Sequence, residues 1–198
     1  MCLLFETIKL QDGVFKLLDY HNNRMDSARQ HFFRPAGPID LKKELRVPEN
    51  CKKGLFKCKV VYGKCIQDVS FSSYKNRDIN ALKLVDADGV DYPFKYVDRG
   101  ALDKLTEGSD PGEEILIVKN GKITDTSYTN VCLWDGKKWL TPARPLLKGT
   151  KRQHYLDKGQ VSGAEISVAD LKKYEKISLI NAMLDLGDIV LKPNHLAR

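Results

Sequence analysis

The sequence predicts an α+β protein in which antiparallel sheet dominates and the helices are short. Three observations predict it. Runs of residues rich in apolar and β-branched side chains read as strands at several places along the chain. The turn dipeptides Asp12-Gly13, Asn120-Gly121 and Asp135-Gly136 fall between such runs, where each favours a tight hairpin. Segments with helical spacing are brief and lie between the sheet segments. The chain divides into a small N-terminal lobe, 1–90, and a larger sheet-rich C-terminal lobe, 91–198.

In order, residues 3–10 form the first strand, and VFKLL returns from Asp12-Gly13. Asp19 is placed to cap a helix through YHNNRMDSARQHFF. In that helix His21 and Arg24 lie three apart and share a face. Pro35, Gly37 and Pro38 break the chain, and a short helix follows in IDLKKELR. GLFKCKVVYG and KCIQDVSFSSY pair across Gly63-Lys64, with Lys57 and Lys59 on one face of the first of these strands. NALKLVDADGV supplies a further strand that ends the first lobe. DRGALDKL is a short helix with Asp98 as its cap. Hairpins then turn at Asn120-Gly121 and Asp135-Gly136, with Leu133, Trp134 and Trp139 as sheet core. Thr150 is placed to cap a helix through TKRQHYLDK, and Ser167 another through ISVADLKKY. KISLINAM and GDIVL close the chain as strands.

Composition narrows the function classes. The formal charge of +7 leaves room for an anionic ligand. The basic residues are nevertheless dispersed among acids and apolar positions, without zinc-finger spacing, a basic zipper or an aromatic-basic stripe, so no nucleic-acid partner is expected. A nucleic-acid module has net charge alone in its favour. The five cysteines contain no CxxC and indicate neither a disulfide framework nor a metal site. MCLLFETIKL meets Glu6 too early for a signal peptide, and no apolar run is long enough to span a bilayer. A cytoplasmic protein without membrane contact is the expectation.

The stretch YPFKYVDRG carries the chemistry. Lys95 stands between aromatic and apolar neighbours, so it is either a surface charge or an amine aimed into a pocket. In a pocket, partial desolvation would suit it to Schiff-base formation. The helix start at Thr150 offers unpaired backbone N–H groups and a positive dipole end, which suit a phosphate, although no Walker loop is present.

The pieces FETIKLQDG, LDYHNNRMDSA, FKYVDR, ITDTSYTNV, LTP, PLLKGTKR and SLINAM resemble, in order and spacing, the class IV (fold-type IV) pyridoxal-phosphate enzymes. That family includes branched-chain and D-amino-acid aminotransferases and aminodeoxychorismate lyases, and the compact chain is most similar to the lyase-like branch. The resemblance implies the D-amino-acid aminotransferase-like fold and pyridoxal 5'-phosphate as cofactor. It makes Lys95 the Schiff-base lysine and Arg24 a contact of the cofactor phosphate. It sets Asp125, five residues before Asn130, opposite the ring nitrogen, Gly149 and Thr150 in the phosphate turn, and Asn181 near phosphate or substrate. Lys57, Lys59, Tyr62 and Tyr128 are candidates for the substrate pocket. The resemblance also implies a homodimer and a small amino substrate.

Three departures accompany it. The chain begins almost at the FET-like strand, shortened where family members carry a further segment. Asp125 is shorter than the usual glutamate, and Asp98 stands where asparagine is common. The implied activity is a lyase converting aminodeoxychorismate to 4-aminobenzoate and pyruvate. The alternatives are an aminotransferase for an L- or D-amino acid and a non-catalytic cofactor-binding remnant.

Overall fold

The computed structural model describes residues 2–34, 37–193 and 196–197. They form two compact units, Met1–Lys75 with Phe94–Asp98, and Asn76–Pro93 with Arg99–Arg198.

In the first unit, strand β1 (Leu4–Gln11) turns through Asp12 (φ 49°) and Gly13 (φ 75°) into β2 (Val14–Phe15). Two successive positive φ angles are what a tight hairpin requires, and Asp-Gly tolerates them. Helix α1 (Leu18–Phe32) follows, but Asp19 does not cap it: the N-cap position is Leu17, itself left-handed (φ 56°), with no side-chain cap. Asp19 falls inside the first turn, where its charge still favours the helix dipole. His21, Met25, Ala28 and Arg29 form the buried face of α1. That face is spaced by helical turns and meets Leu4, Ile8, Cys58 and Val60 in one apolar core. Helix α2 (Leu41–Glu44) is capped by Asp40, whose carboxylate accepts from the Lys42 N–H at 3.0 Å. Strands β3 (Leu55–Tyr62) and β4 (Ile66–Ser73) complete an antiparallel sheet of order β2-β1-β3-β4.

The second unit holds two sheets. In one, β5 (Ala81–Asp86) runs parallel to β6 (Glu113–Lys119), which turns at Asn120-Gly121 into β7 (Lys122–Ile123). The sequence reading put 81–86 in the N-terminal lobe; along its whole length this strand instead pairs with β6 of the second unit. A parallel partner lies far along the chain and leaves no local turn signal, so its pairing is hidden from adjacent-residue patterns. Helix α3 (Gly100–Leu105) lies in this crossover; its N-cap position is Arg99 rather than Asp98.

The other sheet contains β8 (Asn130–Trp134), β9 (Trp139–Pro142), β10 (Val161–Ala164), β11 (Lys176–Ile180) and β12 (Val190–Leu191), in the order β10-β9-β8-β11-β12. Helix α4 (Thr150–Asp157) connects the parallel pair β9 and β10, as a parallel connection demands. Ser167 and Asp170 form a reciprocal capping box on the short 3-10 helix Val168–Lys173. The short strand β13 (Leu196–Ala197) adds to the edge of β5. Leu82, Leu116, Leu133, Ile177 and Leu179 are buried together at the core. Trp134 and Trp139, expected in that core, are half-buried and stack across the β8–β9 hairpin with centroids 5.4 Å apart. Among the described residues, no helix is long and apolar enough to cross a membrane.

Candidate active site

In the first unit β1 organises the chemistry. Its side chains alternate, so Leu4, Glu6, Ile8 and Leu10 face α1 while Phe5 and Thr7 face away. The Lys95 segment lies along the start of β1: the Lys95 carbonyl accepts from the Phe5 N–H at 2.9 Å, and the Val97 N–H donates to the Leu3 carbonyl at 2.9 Å. Phe94 and Tyr96 anchor this segment on Phe32 of α1, with ring centroids 4.9 and 6.1 Å away. Lys95 between them sends its amine over the Phe5 ring, 4.6 Å from the centroid.

Lys59 reaches the same ring, 5.3 Å from its centroid. The register explains this, because Phe5 pairs with Val61 and Thr7 with Lys59, which places all four on one face. Two lysine amines around one aromatic ring make a basic patch suited to an anionic group. Lys57 shares the face but pairs with Lys9, one step farther along. Tyr62 lies on the opposite face, buried in the core under α1. Burial pushes its hydroxyl pKa upward, and the Glu6 carboxylate adds to that.

Arg24 is held by a residue that the sequence reading passed over. Its Nε donates to Glu6 Oε1 at 2.9 Å and its Nη2 to Glu6 Oε2 at 2.5 Å, a bidentate pair. Glu6 is wholly buried, and its Oε2 also meets His21 Nδ1 at 2.6 Å. Burial alone would raise the Glu6 carboxyl; Arg24 and His21 outweigh it and hold the pKa at about 2. His21 is shifted downward, because its burial outweighs the attraction of Glu6, and Arg24 and Lys95 add to the shift. Glu6 was legible in principle: strand parity sets it among Leu4, Ile8 and Leu10 on the core face, where an acid needs a partner.

In the second unit Asp125 and Asn130 form a clasp. Asp125 Oδ1 accepts from Asn130 Nδ2 at 2.8 Å, and Oδ2 accepts from the Leu147 N–H at 2.8 Å. Asn130 Nδ2 also donates to the Leu147 carbonyl at 2.9 Å. Together they fix the turn that enters α4. A Cβ at Gly149 would stand 1.9 Å from Asn130 Oδ1, so only glycine fits there. Gly149 occupies the N-cap position that the sequence reading gave to Thr150, and no side chain caps the helix. The first-turn N–H groups of α4 therefore carry no side-chain acceptor, the arrangement that suits a phosphate. Burial pushes the Asp125 carboxyl up to about 7 against the lowering pull of Leu147 and Asn130. Arg152, also passed over, is buried and donates to the Pro142 carbonyl at 2.7 Å.

Asn181 shapes its own turn. Its Oδ1 accepts from the N–H groups of Met183 and Leu184 at 2.8 and 2.9 Å, and its Nδ2 donates to the Tyr128 carbonyl at 3.4 Å. The Tyr128 ring is half-buried beneath the Arg77 guanidinium, 4.6 Å from its centroid.

Each unit by itself carries groups that fit part of a phosphorylated aldehyde: in the first, the Lys95 amine and the Arg24 guanidinium; in the second, the helix start at Gly149-Thr150, where a side chain at 149 would collide. Asp125 in the second unit is a carboxylate only 4% exposed, and both its oxygens already accept protein hydrogen bonds.

The family model for amino-transferase class IV matches residues 96–191. A crystal structure from Haemophilus somnus 129PT, of a protein provisionally described as a 4-amino-4-deoxychorismate lyase, is similar at 32% identity and TM-score 0.86, covering 94% of this chain and 98% of that one. A Haemophilus influenzae protein described as uncharacterised is 31% identical over 182 residues, 91% of this chain and 97% of its own. A hypothetical aminotransferase from Mycobacterium tuberculosis, solved in its PLP-bound form, shares the fold at 19% identity and TM-score 0.73, covering 98% of this chain and 81% of that one. With relatives at this identity over nearly its whole length, the chain belongs to the fold-type IV pyridoxal-phosphate enzymes, the class IV aminotransferase family.

Proposed function

We propose that the protein is a pyridoxal-phosphate-dependent lyase that converts 4-amino-4-deoxychorismate to 4-aminobenzoate and pyruvate. The observation that carries this reading is the end-to-end likeness, at 32% identity, to the Haemophilus somnus protein given that description. The Lys59 amine beside Phe5 supports it, since the substrate is a dicarboxylate and needs a cationic partner.

In this reading, following the family resemblance, Lys95 would hold the cofactor through its amine and Arg24 would take its phosphate; in the second unit the helix start at Gly149-Thr150 is the candidate for a phosphate contact. Asp125 provides negative charge for the ring nitrogen, and Asn130 and Asn181 fix the backbone around it. When bound, the cofactor supplies an electron sink that stabilises the charge left at the substrate's α carbon. Lys95 Nζ would take the α proton of the bound substrate. Lys59 pairs with a substrate carboxylate and orients the departing enolpyruvate group. Tyr128 contributes its half-buried ring to the pocket wall. The protein acts as a homodimer in the cytoplasm.

A second reading is an aminotransferase, favoured by the description of the family and by the Mycobacterium tuberculosis likeness. There Lys95 Nζ would move the α proton without loss of a carbon group, water would supply the oxygen of the departing keto acid, and the amino group would stay with the bound cofactor for the second substrate. One assay separates them. Cofactor-loaded protein is given aminodeoxychorismate alone, and in parallel L- and D-amino acids with 2-oxoglutarate. Equal amounts of 4-aminobenzoate and pyruvate, lost in Lys95→Ala and reduced about tenfold in kcat/KM by Lys59→Met, support the lyase. Keto acid without aminobenzoate makes the protein an aminotransferase. Neither product, with cofactor still bound, makes it a cofactor-binding remnant.

A further inference from the structure

We infer that His21 and Glu6 are positioning residues for Arg24: a buried imidazole–carboxylate–guanidinium relay sets the cation that takes the ligand phosphate. The inference rests on the proposed phosphate role of Arg24.

The relay is assembled from two elements of one unit. Glu6 comes from β1, and His21 and Arg24 come from successive turns of α1. Glu6 and His21 are both wholly inaccessible to solvent, while the Arg24 side chain is 17% exposed. One end of the relay is thus sealed and the other reaches the surface of the unit. The bidentate pairing fixes the plane of the guanidinium, because two parallel N–H···O bonds leave it no rotation. Oε2 takes bonds from both neighbours, so the imidazole fixes the carboxylate that fixes the guanidinium.

Stability does not account for the imidazole. Among the described residues its buried Nε2 has no hydrogen-bond partner, which costs free energy that an apolar side chain would avoid. Buried ionic groups are in general no more stabilising than well-packed apolar ones. What the ring contributes is a donor at Nδ1, aimed at Glu6. Burial keeps the ring neutral, so Nδ1–H donates and the bare nitrogen is Nε2.

The test compares two ligands that differ in the phosphate alone. Apoprotein is titrated with pyridoxal phosphate and with pyridoxal, both followed by absorbance, and the ratio of the two dissociation constants isolates the phosphate contact. Arg24→Gln, His21→Asn and His21→Gln are measured beside the wild type. The asparagine amide reaches the place of Nδ1 and keeps the donor to Glu6; the glutamine amide reaches the place of Nε2 and does not. The expected result is a phosphate preference that falls about tenfold or more in Arg24→Gln and in His21→Gln, yet stays within about threefold of wild type in His21→Asn. Loss in Arg24→Gln with equal retention in both His21 variants overturns the relay and leaves the phosphate role of Arg24 standing. Equal loss in both also overturns it, since the ring would then act by packing. An unchanged preference in Arg24→Gln overturns the phosphate role and the relay with it.

Discussion

Two buried carboxylates, one in each unit, end with opposite proton affinities. Burial raises both Glu6 and Asp125, yet Glu6 settles at about 2 and Asp125 at about 7. The difference lies in the partners. Glu6 meets a guanidinium and an imidazole directly, whereas Asp125 meets a backbone amide and an asparagine amide. Neutral donors satisfy a carboxylate's hydrogen bonds but return only part of the cost of desolvating its charge. A cation in bidentate contact returns more. Glu6 is therefore anionic across the working range of pH and suited to holding Arg24. Asp125, raised to about 7, exchanges a proton near neutrality while its two oxygens clasp the turn into α4.

The strongest break of this contrast is Glu6→Gln. It leaves Arg24 facing a neutral amide, and loss of one partner from a buried pair costs about 3–5 kcal/mol; urea unfolding measures it. Gly149→Ala tests the clasp of the second unit. The φ of −68° suits alanine, so the cost of about 1–3 kcal/mol comes from the collision with Asn130 Oδ1. A double variant with Asn130→Ala costs less than the sum of the singles if that collision is the cause.

The pH profile of stability sharpens the comparison most finely. Glu6 is depressed from 4.5, so its contribution is complete above that value and is lost only as the pH falls through about 2. Asp125 is raised from 3.8 to about 7, so within that window the folded state holds a proton that the unfolded state has released. Its contribution declines with rising pH there, at about 1.4 kcal/mol per unit. Asp125→Asn removes that slope between pH 4 and 7, and Glu6→Gln leaves it in place.

How much of this was legible in the sequence differs between the units. The hairpins at Asp12-Gly13 and Asn120-Gly121 were, because a two-residue turn carries its own conformational signature. The capping box at Ser167 was also legible, since both of its halves lie within four residues. The place of 81–86 was not, because its partner β6 begins 27 residues after that strand ends. At the candidate site, Lys95 stood out by its aromatic neighbours, and its contact with Phe5 now gives that pattern a physical setting. Arg24 was marked by the family resemblance and not by its helix spacing, and the acid that holds it lies 18 residues earlier on a strand. Only the parity of β1 hinted at Glu6. Asp125 and Asn130 were marked by the family resemblance, yet their bonds to each other and to Leu147 depend on a turn that no local pattern specifies.

The claim on which the rest depends is that Lys95 is the amine that takes the cofactor, and reductive trapping tests it most directly. Protein loaded with pyridoxal phosphate is reduced with borohydride, digested, and mapped by mass spectrometry. A single phosphopyridoxyl group on Lys95, absent from Lys95→Ala, is the result expected. A label on Lys59 or another lysine in the wild type, or full labelling that survives Lys95→Ala, contradicts it.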